Sequence, residues 1–431
     1  MSAPPTRFAT KALHDAHVVD MASPRATPIH LTAGFTFDSF DDAAAHFTVG
    51  SGFGYTRTGN PTVRTVERRL AALESGADAV LVASGQAAVV TALLAVAGAG
   101  DHIISSTHIY EGSRGLFLDN LSRLGIETDF VDDIADPGAW RSLIRPNTRA
   151  LFAESISNAR NDVLNIAAIA RVADSASIPL IVDNTLATPA LLRPIEHGAA
   201  MVVHSASKFL AGHGSVLGGV VIDDGRFNVA RDGHLFPHLV LPGRGGVASV
   251  AERHGEAARI AYARESVAPR FGPTPSPLNA FLIGQGIETL ALRVERQSQS
   301  ALAVAHWLAT QDVVESVDYA GLATHPDHAR AVSQLAGGFG SVFTFTLRGG
   351  QAAARHVIDS VNVFTHMTHI GDVRSLVLHP ATTSHALLSP AERARVGVHE
   401  GTLRISIGIE DVEDLVSDLT QSLALVQELV S

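Results

Sequence analysis

The chain has 431 residues, of which 46% are hydrophobic, and it carries a formal net charge of −11. This charge argues against a nucleic-acid partner, which would need a basic face, and the absence of cysteine excludes disulfides and protein thiolate chemistry. Since the first twelve residues lack the apolar core of a signal peptide, we expect a soluble cytoplasmic protein, long enough for two domains.

The first 61 residues show little periodic pattern and predict an extended N-terminal arm. From residue 62 to 268, short apolar runs alternate with helix-length segments, which is typical of a mostly parallel sheet covered by helices. The predicted strands are 79–83, 102–105, 125–131, 149–154, 179–183, 201–203 and 216–222. The fold class predicted for this region is therefore α/β.

A proline-rich joint at 269–277 separates this large domain from a smaller α+β region that runs to residue 431. Its pattern predicts one long helix over 278–310 and strands near 341–347, 374–378 and 403–407. The apolar stretch at 79–100 is interrupted by polar residues and has no positively charged flank, so we do not expect it to span a membrane.

Lys208 is one of only two lysines, and it closely follows the apolar run that starts at Met201. Asp183 ends the preceding apolar run, 25 positions upstream. Parallel strands present their carboxyl ends at one edge of a sheet, so both side chains are expected there, one strand apart. A lysine amine that can bond to an aldehyde and an acid that keeps a pyridine nitrogen protonated are what pyridoxal 5'-phosphate requires.

A phosphate site is predicted where a short strand breaks at Ser84-Gly85 and an alanine-rich helix follows through Gln86. Free backbone N–H groups and the positive end of the helix dipole would face a dianion at this turn. The histidines lack a tight ligand spacing on one helix face, so we expect no metal site. The histidines scattered through polar loops are His325, His328, His366, His369, His379 and His385.

Several segments resemble the Cys/Met-metabolism family of pyridoxal-phosphate enzymes in their order and spacing, from about residue 6 to the C-terminus. They are 55–62 (YTRTGNPT), 84–88, 182–185, 205–214, 371–385 and 403–410. The resemblance implies the pyridoxal-phosphate transferase fold, like that of aspartate aminotransferase. Within the family the chain is most similar to the O-acetylhomoserine sulfhydrylases, also called homocysteine synthases.

The resemblance also implies roles for individual residues. The implied catalytic residues are Lys208, Tyr110 and Tyr55. The implied cofactor-binding residues are Tyr55, Arg57, Ser84, Gly85, Gln86, Tyr110, Asn158, Asp183, Ser205, Ser207 and Lys208. The implied substrate-binding residues are Asn158, Ser375 and Arg404. Tyr110 would stack on the cofactor ring, and Arg404 would bind a substrate carboxylate through two parallel hydrogen bonds.

The implied reaction is γ-replacement on O-acetyl-L-homoserine by sulfide or methanethiol, with Lys208 as the general base for the Cα proton. Cystathionine γ-synthase and methionine γ-lyase are the alternatives within the family. Arg374 stands where cystathionine-handling relatives carry a glutamate, and a positive charge there would repel the ammonium of cysteine. A longer chain between Gly219 and the joint also favours a sulfhydrylase.

Two further classes stay open, a non-catalytic relative that keeps the cofactor cleft and a plain nucleotide-binding α/β protein. The nucleotide-binding class would need a glycine-rich turn followed by an acidic ribose-binding residue, which 84–86 lacks. As partners we expect only small-molecule substrates and further copies of the chain. The family places Tyr55 and Arg57 across the neighbouring subunit, which implies active sites shared within a homotetramer.

Overall fold

The protein is described here by a computed structural model that covers residues 7–15, 24–49, 52–158 and 160–430. Part of the predicted N-terminal arm, 1–6, 16–23 and 50–51, lies outside the described residues.

Seven strands form the larger sheet, in the spatial order β1-β7-β6-β5-β4-β2-β3. They are β1 Asp78–Val82, β2 His102–Ser106, β3 Glu127–Val131, β4 Thr148–Glu154, β5 Leu180–Asp183, β6 Met201–Ser205 and β7 Gly219–Asp223. All neighbours run parallel except at β7, which is antiparallel to both β1 and β6. The sheet is thus mostly parallel, as predicted, and belongs to the α/β class.

Helices cover both faces of this sheet, which explains why the central strands are apolar on both sides. The helices of the chain up to the joint are α1 Phe8–His14, α2 Phe40–Val49, α3 Pro61–Leu73, α4 Gly85–Leu94, α5 Glu111–Gly115, α6 Pro137–Ser142, α7 Ile166–Ser175, α8 Thr188–Leu191, α9 Val229–Asp232, α10 Pro237–Val240, α11 Val250–His254, α12 Ala258–Tyr262 and α13 Ala268–Phe271. Alternate residues of one strand enter two different cores: Val202 packs in one, and Met201 and Val203 pack in the other.

A second sheet of five strands follows, in the order β10-β11-β12-β9-β8. Its strands are β8 Val314–Asp318, β9 Val342–Leu347, β10 Thr365–His366, β11 Leu376–Leu378 and β12 Thr402–Ser406. The helices of this half are α14 Pro277–Glu288, α15 Leu290–Leu308, α16 His328–Gln334, α17 Gly350–Ser360, α18 Pro390–Arg395 and α19 Val412–Val430. The sheet encloses a third core with the C-terminal half of α15, α17 and α19, and this core includes Phe343 and Phe345 of β9.

The predicted single helix over 278–310 is wrong in one respect, because it breaks at Thr289 into α14 and α15. The backbone of Thr289 leaves helical geometry, with ψ near 7°. Buried Arg293 stabilises the break, since its guanidinium donates 2.6 Å to the carbonyl of Gly286 and 3.1 Å to the Thr289 hydroxyl. No sequence signal at Thr289 itself marks this junction, because the side chain that bonds to the groups freed by the break is Arg293, one turn further along.

The predicted domain boundary at residue 269 stays a prediction. Helix α14 packs in the core of the larger sheet, and the change of core occurs inside α15, between Val294 and Ala301.

The expectation of an extended arm over the first 61 residues is also wrong in part, because α1 and α2 lie within it and Ala12 is buried in the core of the larger sheet. Among the described residues, no helix combines the length and apolarity needed to cross a membrane.

Candidate active site

The carboxyl ends of β4, β5 and β6 bring three ionisable side chains to one edge of the larger sheet. Glu154 ends β4, Asp183 ends β5, and Lys208 lies in the turn that follows β6. Glu154 and Asp183 are direct cross-strand partners. The sheet edge at which a ligand binds in open α/β folds therefore carries two acids and one amine.

Asp183 is held by the residue two positions along. Its Oδ1 accepts hydrogen bonds from the backbone N–H of Thr185, at 3.0 Å, and from the Thr185 hydroxyl. Burial raises the pKa of Asp183, and the two Thr185 bonds oppose that rise. The second oxygen, Oδ2, makes no hydrogen bond to the described chain, so it is free to face a ligand.

Glu154 connects two loops that border the site. Its Oε1 accepts the backbone N–H of Tyr110 at 2.6 Å, and the backbone N–H of Asn158 faces the same carboxyl and opposes the rise in its pKa. Its Oε2 is buried without a partner in the described chain. Burial, together with the neighbouring Asp183, raises the pKa of Glu154 well above its usual value. The Glu154 carboxyl thereby holds Tyr110, in the loop after β2, and faces Asn158, in the loop after β4.

The amine of Lys208 lies 3.0 Å from Nδ1 of His369, a residue between β10 and β11. Burial lowers the pKa of Lys208 to about 8, and the positive charge of Arg404 adds to that effect. A lysine with a pKa near neutrality has a substantial fraction of free amine, which is the form that bonds to an aldehyde or accepts a proton.

The turn between β1 and α4 offers unpaired donors. The backbone N–H groups of Gly85 and Gln86 have no acceptor in the described chain, while Ser84 caps the helix by accepting the N–H of Ala87 at 3.2 Å. A side chain at Gly85 would lie 2.7 Å from Cβ of Ser205, so only glycine lets the two segments approach. This geometry suits a phosphate dianion at the start of α4.

The two serines before Lys208 differ in what they can still bind. The Ser205 hydroxyl makes no hydrogen bond to the described chain and lies against Gly85. The Ser207 hydroxyl, in contrast, donates to the carbonyl of Gly218 at 3.2 Å and accepts the Gly218 N–H at 3.0 Å. Ser205 is thus free to donate to an anion, whereas the predicted role of Ser207 would require it to leave its partners.

Tyr110 precedes α5 and is half exposed. A side chain at Gly112 would collide with both the Tyr110 ring and the amide of Gln86, which puts the ring beside the start of α4. An exposed aromatic face next to the donors of Gly85 and Gln86 is available for stacking on a planar ring.

Arg404 of β12 and Asn158 lie together, with the guanidinium Nη1 3.2 Å from Asn158 Oδ1. Arg404 is only 6% exposed, and burial lowers its pKa to about 10. Its other contacts are the carbonyls of Thr368 and His369, and no carboxylate of the described chain pairs with it. A buried cation without an anion is a binding site for one, such as a substrate carboxylate.

Ser375 and Arg374 do not lie as the sequence suggested. The Ser375 hydroxyl donates to Glu410 at 2.8 Å and accepts the N–H of Gly408 at 2.9 Å, so it is fully occupied. The Arg374 guanidinium donates hydrogen bonds to both carboxylate oxygens of Asp372, at 2.9 and 3.1 Å. Its charge is therefore matched, and the expectation of an uncompensated repulsion of ammonium groups is wrong.

Among the described residues of their own chain, Tyr55 and Arg57 make no hydrogen bond or ion pair with Lys208, Asp183 or the start of α4. Arg57 donates to the carbonyl of Pro269 at 2.7 Å and lies over the Tyr55 ring, which is half exposed. Within one chain, these two residues therefore stand apart from the other predicted site residues.

Two residues of the site, Glu154 and His369, were not among the site residues predicted from the sequence. Glu154 ends an apolar run in the same way as Asp183, so the same rule could have found it. His369 had no such signal, because it meets Lys208 across 161 residues of chain. Among the described residues, no group of acids and histidines is arranged to hold a metal ion.

Comparison with known proteins places the site in context. Residues 9–424 match the model of the Cys/Met metabolism PLP-dependent enzyme family. The O-acetyl-L-homoserine sulfhydrylase of Corynebacterium glutamicum is 43% identical, with 97% of each chain covered. The O-succinylhomoserine sulfhydrylase of Pseudomonas aeruginosa is 39% identical, covering 91% of this chain and 89% of the relative.

A crystal structure from Campylobacter jejuni, described as an O-acetylhomoserine (thiol)-lyase with an N'-pyridoxyl-lysine-5'-monophosphate residue, is similar throughout. Its TM-score is 0.94 at 33% identity, with 97% of this chain and all of the other chain covered.

Proposed function

The chain belongs to the Cys/Met-metabolism family of pyridoxal-phosphate-dependent enzymes, and from this premise we propose that it replaces the acetate of O-acetyl-L-homoserine by sulfide, forming L-homocysteine. The observation that carries the proposal is that the Lys208 amine, with a pKa lowered to about 8, and the free oxygen of Asp183 lie at the same edge of the sheet. Methanethiol is a second acceptor, which would give methionine.

The residues at this edge fit pyridoxal 5'-phosphate. We propose that the free N–H groups of Gly85 and Gln86 and the Ser205 hydroxyl hold its phosphate. Asp183 would bind the ring nitrogen through Oδ2, and Tyr110 would cover the ring. When bound, the cofactor supplies an aldehyde for the amine and an electron sink for the carbon atoms of the substrate.

The remaining groups bind the donor and move its protons. Arg404 and Asn158 would bind the α-carboxylate, since the guanidinium is buried without an anion. That contact fixes the Cα–H bond near the Lys208 amine, which accepts the proton as general base. A second proton then leaves Cβ, and the electrons of that C–H bond expel acetate, which keeps the electrons of the Cγ–O bond. Sulfide bonds to Cγ, protons return to Cβ and Cα, and Lys208 supplies the proton at Cα.

The alternative functions within the family differ from the proposed one in which acceptor or donor they use, or in using no acceptor. Cystathionine γ-synthase would use cysteine as acceptor, and methionine γ-lyase would eliminate without replacement. Because Asp372 neutralises Arg374, charge repulsion at that position no longer argues against cysteine. The succinyl donor of the Pseudomonas relative makes O-succinyl-L-homoserine the second donor to consider.

We also propose that the enzyme is a cytoplasmic homotetramer whose active sites are shared between chains. Large apolar side chains are exposed along the arm, including Leu31 at 74%, Phe40 at 88% and Phe47 at 81%. An apolar surface of this kind is expected to pack against another copy of the chain. The isolation of Tyr55 and Arg57 from the site of their own chain fits the same arrangement.

The proposal is tested by steady-state rates with a matrix of two donors and three acceptors. O-acetyl- and O-succinyl-L-homoserine are each combined with sulfide, L-cysteine and methanethiol, and the no-acceptor reaction measures elimination. We expect the highest kcat/KM with O-acetyl-L-homoserine and sulfide. A higher value with cysteine, or elimination faster than replacement, would favour the corresponding alternative.

A further inference from the structure

The contact between Lys208 and His369 joins the two halves of the molecule. Lys208 follows β6 of the larger sheet, and His369 lies before β11 of the smaller one, yet Nζ and Nδ1 are 3.0 Å apart. In the described chain this is the only hydrogen bond that the amine makes. A flexible four-carbon side chain is thus held at a defined point.

When Lys208 is protonated, the contact fixes which nitrogen of His369 carries the proton. An ammonium has three donors and no lone pair, so the imidazole atom that faces it must be an acceptor. Nδ1 is then unprotonated, and the ring proton of the neutral imidazole lies on Nε2, which is buried without a partner in the described chain. Burial and the charge of Lys208 lower the pKa of His369 to about 4, which keeps the ring neutral.

From this geometry, and resting on the proposed function, we propose that His369 is a positioning residue that receives the Lys208 amine whenever that amine is not bonded to the cofactor. The neutral ring accepts one hydrogen bond from the ammonium and so aims the amine back toward the reacting carbons. His369 itself takes no proton.

Other charged groups near the pair do not provide a better resting place. Arg404 is a cation and repels the ammonium, while the charges of Arg374 and Asp372 are already paired with each other. A carboxylate beside the amine would stabilise the ammonium and raise the pKa of Lys208. A neutral imidazole orients the amine with much less stabilisation of its charge, which leaves the proton easy to give up.

A proton relay through His369 is the competing idea, and the proton affinities oppose it. The pKa of the amine is about 8 and that of the imidazole about 4, so the proton favours Lys208 by roughly ten-thousand-fold. A side chain that accepts a hydrogen bond but does not titrate should therefore work in place of His369. If His369 relayed a proton, such a side chain would not work.

The test measures how fast the cofactor-free full-length protein captures pyridoxal 5'-phosphate covalently, as a function of pH, by visible absorbance. The midpoint of that profile reports the amine. We expect His369→Leu to lower the midpoint by roughly 0.5–1 pH unit, the worth of one hydrogen bond. His369→Asp should raise it by about 1–2 units, and His369→Asn should leave it within about 0.3 unit.

Turnover supplies the second readout. His369→Leu should reduce kcat about tenfold with little change in KM, and His369→Asn should stay within about threefold of the parent. The exposed neighbour His366 supplies the control, since His366→Asn should change neither quantity. Midpoints that are equal in the Leu and Asp variants, or that move in the same direction, would refute the role of His369.

The same experiment separates this inference from the proposed function. A parent protein that captures no pyridoxal 5'-phosphate would remove the proposed function and the role of His369 with it. A parent that captures it normally, alongside Leu and Asp variants with the parent's midpoint, would remove only the role of His369.

Discussion

Glu154 and Asp183 lie side by side as cross-strand partners, and no basic side chain of the described chain forms an ion pair with either. Two buried carboxyls in this position resist ionising together, and the pKa of each is raised. A cationic ring nitrogen at Asp183 would offset that charge. Glu154 therefore links the protonation of the acid pair to cofactor binding.

The first prediction concerns Glu154→Gln in the cofactor-free protein. Because the folded-state pKa of Glu154 is raised, the folded protein binds this proton more tightly than the unfolded chain, so the pair destabilises the fold as the pH rises. The amide cannot ionise but still accepts the Tyr110 N–H. Urea unfolding should show the variant to be more stable at about pH 9, by on the order of 1–3 kcal/mol.

This advantage should shrink as the pH is lowered toward about 5, where the parent also holds its protons. Glu154→Ala is the control, since it also removes the acceptor for Tyr110 and should destabilise the protein at every pH. A stability gain of the Gln variant that is larger in acid than in alkali would contradict this account.

Asp183 provides the second prediction. Asp183→Asn should lose most activity, because an amide leaves the ring nitrogen uncharged, whereas Asp183→Glu should retain some. We expect a fall in kcat of at least about a hundredfold for Asn, with bound cofactor measured separately by its absorbance. An Asn variant with normal turnover would refute the electron-sink role of this residue.

Lys208→Ala is the third change. It should abolish turnover and the visible absorbance of covalently held cofactor, because the other lysine, Lys11, lies in α1 at the far end of the sequence. Lys11→Ala is the matched control and should behave like the parent protein. Retained absorbance with near-parental turnover in Lys208→Ala would show that another group bonds to the cofactor.

Arg404 gives the fourth prediction. Arg404→Lys keeps the charge but cannot make two parallel hydrogen bonds to a carboxylate. We expect kcat/KM for the donor to fall about 10- to 150-fold, which corresponds to one charged hydrogen bond of about 1.5–3 kcal/mol. Asn158→Ala should act in the same direction, and a double variant should be less than additive because the two side chains touch.

The sequence was sufficient to predict the strand that ends at Asp183 and the strand that precedes Lys208, because buried parallel strands appear in a sequence as apolar runs. It was insufficient where an outcome depends on which partner a side chain takes in the folded structure, even when that partner is close in sequence. The break at Thr289 depends on Arg293, and the neutralisation of Arg374 depends on how Asp372 turns back on it. The occupied hydroxyl of Ser207 depends on Gly218, across the β6–β7 turn, and no local pattern encodes such pairings.

The last prediction is that each active site takes Lys208 from one chain and Tyr55 and Arg57 from its neighbour. Within one chain, Arg57 bonds to Pro269 and not to the start of α4, so a phosphate held there lacks this cation unless another copy supplies it. Lys208→Ala should therefore be inactive alone, and so should the double variant Tyr55→Phe/Arg57→Ala. Neither type of chain alone can build a complete site.

Co-refolding the two variants in equal amounts should restore activity. Random pairing makes half of the dimers mixed, and each mixed dimer contains one site with an intact lysine opposite an intact arm. Up to about a quarter of the parental sites should then work. Mass spectrometry of intact oligomers checks that mixed species form, and each variant refolded alone is the control. If mixed oligomers formed without any activity, the arm would act within its own chain and the shared-site model would fail.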